Sequence, residues 1–400
     1  MTTTAKYGTA ASSPDEEGAT SNQAGSRPVT WYVEEQASSG VWREETVSPE
    51  VTGLSREVRI FRAPRKTNLI VYDWHGDVKT FCPPQWWDLA IGSGACHFGC
   101  RACFLLLTHR IRRDPWRHLL YDNLDDFERV AEKWLLDPAR RRQHTLGVGI
   151  DRSDSLLYEG IAPHVRNLAP LFESESHNPK GNKLVLLTKS ANTHFLEEVR
   201  PEHRGNVVVS FSLNPEGIAD LWEGKWPDTG ERITPPIVRR LQAARFAQDL
   251  GFEVRVRVDP ILTPVGWEEQ YRAFVALVKE MGVRFRYWTL GTYREKNAQL
   301  DGWRERWGLL PMEWQPSDGD GHGDGEGVEA GAGVELVKSG THWHLPDARR
   351  ITIYGVVRDA IKSEFPGSVT EPAALVSLCK ETHSVRRALN LCNASCNCLT

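Results

Sequence analysis

The chain has 400 residues, 40% of them apolar and 26% charged, which is enough for a buried core and for one large domain or two to three smaller ones. A formal charge of -4 and a pI near 6.4 exclude a protein that coats nucleic acid through bulk charge, and no apolar run approaches the roughly 20 residues that span a bilayer. The opening stretch MTTTAKYGTAASSPDEEG lacks the basic and apolar regions of a secretory signal, so a cytoplasmic chain with reduced thiols is expected.

Residues 1–28 are rich in Thr, Ala, Ser, Glu and Gly without apolar periodicity and read as a disordered tail. A region over 29–84 follows, expected to pack on the main domain; its Cys82 stands alone and reads as a buried apolar residue. From 85 to 310, short apolar runs alternate with amphipathic helical patterns, which predicts an α/β domain with a largely parallel sheet. The predicted strands are 87–92, 145–150, 183–189, 206–214, 253–260 and 283–291. One predicted helix begins after Asn123, with Phe127, Val130 and Trp134 at helical spacing. Another takes Thr234 as N-cap, Pro235 at its first position and Gly251 as its stop.

Several strands carry polar residues on one face. Arg255, Arg257 and Asp259 alternate with Val254, Val256 and Val258, and Ser210, Ser212 and Asn214 alternate with Phe211 and Leu213. A face that packs on helices must be apolar, so the polar one points the other way. The reading is a barrel, or an open part of one, with a wet interior; edge strands with one solvent face are the alternative. Arg255, Arg257, Asp259, Arg284 and Arg286 are candidates to line that interior. The stretch THRIRRDPWRH (108–118) interleaves Arg and His with Trp116, and it reads as a solvated helix face before a phosphate-binding surface.

The acidic, Gly-rich segment 316–336 reads as a linker, 337–370 as a C-terminal helical region, and 371–400 as a cysteine-rich tail. In that tail Cys379, Cys392, Cys396 and Cys398 are candidate ligands of a second iron–sulfur cluster or a zinc ion, with a disordered reactive tail as the alternative.

The densest chemical signal is GACHFGCRACFLL (94–106), which puts Cys96, Cys100 and Cys103 on one loop after the first strand of the α/β domain. Three thiolates at this spacing can hold three corners of a cubic iron–sulfur cluster and leave one iron open to a ligand. A structural zinc needs a fourth protein ligand, for which His97 is the local candidate, awkwardly placed beside Cys96.

Cys96-His-Phe-Gly-Cys100-Arg-Ala-Cys103-Phe104 resembles the signature of radical S-adenosylmethionine (radical SAM) enzymes. That resemblance implies a 4Fe-4S cluster whose open iron chelates SAM, cleavage of SAM to a 5'-deoxyadenosyl radical, and a partial (β/α)6 barrel. LAIGSGACHFGCRACFL, LLTKSANTHFLEE, VSFSLNPE and DPILTPVGWEEQY are similar, in order, to stretches of the spore photoproduct lyase family, over roughly 85–295 with a weaker match near 350–365. By that resemblance Lys189 and Ser212 contact SAM, with Ser153 and Asn214 beside them and Lys189 pairing with the SAM carboxylate.

Two departures stand out. Asp151 occupies the position of the family's hydrogen-donating cysteine, and the family's tyrosine pair falls on Trp116 and Leu120, with Tyr121 one residue out of step. Asp151 and Tyr121 are therefore the candidate catalytic positions, and a C-terminal thiol is a candidate replacement for the missing hydrogen donor. The expected function is a radical SAM enzyme acting on DNA or a nucleotide-like substrate, reduced by a partner such as flavodoxin or ferredoxin. The alternative is a non-catalytic, zinc-stabilised nucleic-acid-binding protein.

Overall fold

The computed structural model describes residues 43–74, 85–93, 96–100, 103, 118–139, 143–150, 152–295, 337–339, 342–367 and 373–391. The tail at 1–28, the 316–336 linker, Cys82, Asp151, Trp116, Cys392, Cys396 and Cys398 lie outside the described residues. Strands β1 (Arg43–Val47), β2 (Val58–Ala63), β5 (Gly92–Ser93) and β6 (His118–Tyr121) form one sheet in the order β1-β2-β6-β5, and a single helical turn, α1 (Pro49–Thr52), joins the first two.

The larger sheet has eight strands in the order β15-β11-β10-β9-β8-β7-β4-β3. Its members are β3 (Ile70–Trp74), β4 (Gln85–Leu89), β7 (Thr145–Val148), β8 (Lys183–Thr188), β9 (Val207–Ser212), β10 (Glu253–Ile261), β11 (Tyr287–Thr292) and β15 (Leu375–Leu378). Every neighbouring pair is parallel except β3 with β4. The six predicted strands are β4 and β7 to β11, so the alternating pattern expected for a radical SAM-type α/β sheet is present. A small sheet of β12 (Arg294–Glu295), β13 (Val337–Ser339) and β14 (His342–His344) stands beside it.

Helices α2 (Leu124–Leu136), α3 (His164–Glu173), α4 (Glu216–Trp222), α5 (Ile237–Asp249), α6 (Trp267–Glu280) and α7 (Asp347–Glu364) connect the strands, and α8 (His383–Ala388) follows β15. Helix α2 starts where its pattern predicts and buries Phe127, Ala131, Trp134 and Leu135, one stripe at the spacing of a core-facing helix. Among the described residues no helix is long and apolar enough to cross a membrane.

Two expectations need correction. Helix α5 starts at Ile237, not after Thr234. The Thr234 hydroxyl is drawn instead to the buried Glu223 carboxylate, and the Glu216 carboxylate accepts the Ile237 N–H at 2.7 Å, doing the work of a cap from another helix. Within the segment read as a cysteine-rich tail, residues 375–378 form a parallel strand paired to β11, with Cys379 buried at its end. Arg284 and Arg286 are exposed before β11 begins; they line no interior.

The parallel register aligns Ser212 with Arg257, Arg257 with Thr289, and Thr289 with Ser377. Partnered residues of a parallel sheet share a face, so a row of polar side chains crosses four strands on the face away from the helices.

Candidate active site

The three-cysteine loop leaves β5 and is held by its own backbone and by three other segments. The Gly99 N–H bonds the Cys96 carbonyl at 3.2 Å and the Cys103 N–H bonds the Cys100 carbonyl at 3.0 Å, with Gly99 at φ 54°, a left-handed conformation that glycine adopts without penalty. Gly224 packs directly on this loop: a β-carbon there would stand 2.1 Å from the Phe98 carbonyl oxygen.

His97 is used up by the fold. Its Nε2 lies 3.1 Å from the Arg59 carbonyl oxygen, which can only accept, so Nε2 carries the proton and Nδ1 is bare. The Tyr158 hydroxyl, 2.7 Å from Nδ1, therefore donates to it while accepting the His97 backbone N–H at 3.1 Å. With both ring nitrogens engaged, His97 does not serve as a fourth zinc ligand. Among the described residues no group of three His, Cys, Asp or Glu side chains is gathered as a single metal ion requires.

The donor set fits a cluster instead. Burial pushes the Cys96 thiol well up, helped by the Asp154 carboxylate and the other two cysteines. Burial likewise pushes Cys100 up to about 12. Buried thiols whose charges would oppose one another need a bound metal cation to become thiolates, and a cubic cluster with three cysteine ligands is one such centre that the spacing fits.

The next segments along the sheet converge beside the loop. After β7, Ser153 Oγ lies 3.2 Å from His118 Nε2, and Asp154 accepts bonds from the Thr188 hydroxyl at 2.7 Å and the Lys189 backbone N–H at 2.8 Å. After β8, Lys189 Nζ donates to Ser212 Oγ at 2.7 Å, lies 3.4 Å from Glu223, and sits 4.3 Å above the Trp222 ring. Burial alone would raise the Glu223 carboxyl, but the Arg240 and Lys189 charges hold it down at about 2. Arg240, fully buried, forks onto both Glu223 oxygens. Lys189, Arg240 and Glu223 together leave one positive charge, which suits a carboxylate ligand.

Asn214 is fully buried at the end of β9. Its Oδ1 accepts from the Tyr271 hydroxyl at 3.0 Å, while its Nδ2 has no hydrogen-bond partner among the described residues. A buried amide donor left open is a position for a ligand acceptor. The predicted quartet thus divides into a contacting pair, Lys189 and Ser212, with Ser153 toward the three-cysteine loop and Asn214 further along the rim.

At the other end of the polar row Arg257 Nη2 donates to Cys379 Sγ at 3.1 Å, and Arg257 Nε lies 3.8 Å from the Asp259 carboxylate. Arg294 donates to Asp259 at 2.8 Å and to the Cys379 carbonyl at 3.0 Å. Burial would raise Asp259, but Arg294 and Arg257 hold it below the usual carboxylate range. Gly291 is required here, because a β-carbon would meet the Asp259 carboxyl carbon at 2.5 Å. Cys379 packs within this constellation, while Cys392, Cys396 and Cys398, its expected partners in a second metal site, lie outside the described residues. Arg255 is buried lower in β10 with its guanidinium 4.6 Å from the Tyr287 ring.

Tyr121 is buried in β6 under the Arg65 guanidinium, 4.8 Å away, and its carbonyl accepts from His164 Nε2 at 2.7 Å. Its described contacts tie the second sheet to α3. Sequence reasoning passed over Asp154, Tyr158, Glu223 and Arg240. Glu223 directly precedes a glycine after a short helix, but neither it nor the others stand in a local pattern that marks them.

No protein-family model matches the chain, and no curated protein matches it by sequence. Solved structures do match. Spore photoproduct lyase complexed with dinucleoside spore photoproduct superposes with a TM-score of 0.58 at 18% identity, over 80% of this chain and 81% of that one. A variant of that lyase, also with the dinucleoside, gives 0.57 at 16% identity over 79% and 80%. A further variant with bound AdoMet and the dinucleoside gives 0.55 at 16% identity over 77% and 78%. The chain shares the fold of these spore photoproduct lyase structures.

Proposed function

We propose that this protein is a radical SAM enzyme acting on DNA or a nucleotide-like substrate. The observation that carries the reading is the meeting of a three-thiol loop with the Lys189–Ser212 pair on the C-terminal rim of a parallel sheet, the end at which such sheets bind ligands. Structures of the same fold hold AdoMet and dinucleoside spore photoproduct, which supports both the cofactor and the substrate class.

Cys96, Cys100 and Cys103 would hold a 4Fe-4S cluster, which when bound supplies the open iron and the electron that cleave SAM to a 5'-deoxyadenosyl radical. Lys189 orients the SAM carboxylate, steadied by Ser212 and by Glu223, and Asn214 Nδ2 offers an amide donor. Arg257 and Arg294 present cationic groups on the substrate side. Cys379 takes a bond from Arg257 and stands two residues beyond Ser377, which belongs to the same polar row. That position supports Cys379 as the C-terminal thiol that replaces the family's donor, whose position Asp151 occupies.

The test uses anaerobically reconstituted chain. Wild type is expected to take up iron and sulfide and to form 5'-deoxyadenosine from SAM under reduction, and Cys100→Ala to lose both. Zinc in place of iron, with SAM intact, would overturn the reading and leave the zinc-stabilised binding protein.

A further inference from the structure

The two halves of the site come from distant parts of the chain: the cluster loop follows β5, and Lys189 follows β8. The connection after β7 touches both. At one end Asp154, buried, accepts four hydrogen bonds: from the Thr188 hydroxyl at 2.7 Å and from the backbone N–H groups of Lys189, Leu157 and Leu156 at 2.8, 3.0 and 3.1 Å. At the other end, one turn on, the Tyr158 hydroxyl takes the His97 backbone N–H and gives its own proton to the His97 ring. The Tyr158 ring in turn stacks on His118, centroids 4.3 Å apart and planes 9° apart, and His118 bonds Ser153 of the same connection. Tyr158, His97, His118 and Ser153 are all buried.

We propose that the connection 153–158 is a rigid spacer that sets the cluster loop against Lys189, with Tyr158 as its positioning residue. The geometry gives this connection two grips of different kinds. Asp154 holds the Lys189 main chain by a charge, and Tyr158 holds the main chain and side chain of His97, next to Cys96, through one oxygen atom. A chelated ligand must reach an open iron and Lys189 at once, so its affinity depends on the distance between those two anchors. Removing the Tyr158 oxygen leaves a buried N–H and a buried ring nitrogen without their partner, and frees the loop to drift while Lys189 stays in place. The proposal rests on the reading that this loop holds a cluster and Lys189 meets SAM.

The test compares Tyr158→Phe with Tyr354→Phe in the reconstituted full chain. Tyr354 is a matched control: its buried hydroxyl accepts the Thr292 N–H at 2.9 Å, far along the sheet from the loop. Three quantities are read: the urea midpoint without metal, iron per chain, and SAM affinity from the change in the electron paramagnetic resonance spectrum of the reduced protein. Both variants are expected to lose stability, but only Tyr158→Phe to bind SAM about tenfold more weakly with an altered spectrum. His97→Asn, which keeps a short-reach acceptor for the Tyr158 hydroxyl, is expected to bind SAM better than His97→Phe. That pair decides the matter if Tyr158→Phe does not fold. Equal SAM affinity in Tyr158→Phe and wild type, or equal loss in both tyrosine variants, would overturn the spacer alone. A wild type that takes up no iron would overturn the underlying reading, and the spacer with it.

Discussion

Gly224→Ala probes the contact between the cluster loop and the rest of the site without touching a polar group. The added β-carbon would lie 2.1 Å from the Phe98 carbonyl oxygen and 2.8 Å from the Gly99 carbonyl carbon and oxygen, where ordinary contact begins at 3.4 Å. All of these atoms are backbone, so no side-chain rotation relieves the overlap. Gly224 has little room to retreat, because its carbonyl accepts the Ile233 N–H at 2.8 Å and its neighbour Glu223 is locked to Arg240 and Thr234. The loop must therefore shift by more than an ångström. Overpacking of this kind costs about 1–3 kcal/mol, and a loop displaced that far would lose the geometry that the proposed cluster requires. Gly355→Ala is the comparison: its β-carbon meets only Leu389 at 3.9 Å, and alanine is favoured over glycine within a helix such as α7 by roughly 0.5–1 kcal/mol. Urea unfolding of the metal-free proteins and iron content after reconstitution should separate the two. Gly224→Ala should lose stability and retain less iron, whereas Gly355→Ala should match or exceed wild type on both. A Gly224→Ala protein with wild-type stability and iron content would refute the packing assigned to this loop.

Two further outcomes test the buried electrostatics. Arg240→Met should destabilise the fold by about 3–5 kcal/mol, since it strands Glu223 as a buried carboxylate with Lys189 as its main remaining cation; a loss under 1 kcal/mol in urea unfolding would contradict that account. His164 is buried, its Nε2 donating to the Tyr121 carbonyl, and burial lowers its pKa from 6.5 to about 4. Below pH 6.5 the unfolded chain takes up a proton that the folded chain refuses, so this residue costs stability as pH falls from 6.5 toward 4. Relative to His164→Gln, wild type should lose about 2 kcal/mol between pH 7.5 and pH 5; parallel stability curves for the two proteins would show that His164 does not titrate this way.

Which parts of this architecture are legible in the sequence follows from the range of the forces involved. The strand pattern of β9 and β10 is readable because burial on one face and polarity on the other is written every second residue. The start of α2 after Asn123 is readable because its core-facing stripe repeats every three to four residues. Thr234 misleads because local capping chemistry competes with a carboxylate elsewhere in the chain. Glu223 is fully buried with Arg240 beside it, and it draws the Thr234 hydroxyl that a helix start would otherwise use. Strand β15 is hidden because LVSL is short and flanked by residues that suggest a tail; its pairing partner β11 is more than eighty residues away.

By itself the sequence determined the thiol spacing of Cys96, Cys100 and Cys103, the polar inner face and the order of motifs, all of them properties carried by neighbours along the chain. Only the tertiary structure decided that His97 is a structural residue held by Tyr158, that Glu223 and Arg240 support Lys189, and that Cys379 belongs to the interior. Each of those depends on a buried polar atom finding its partner across the fold, and desolvation makes such partners obligatory without writing them into any local pattern.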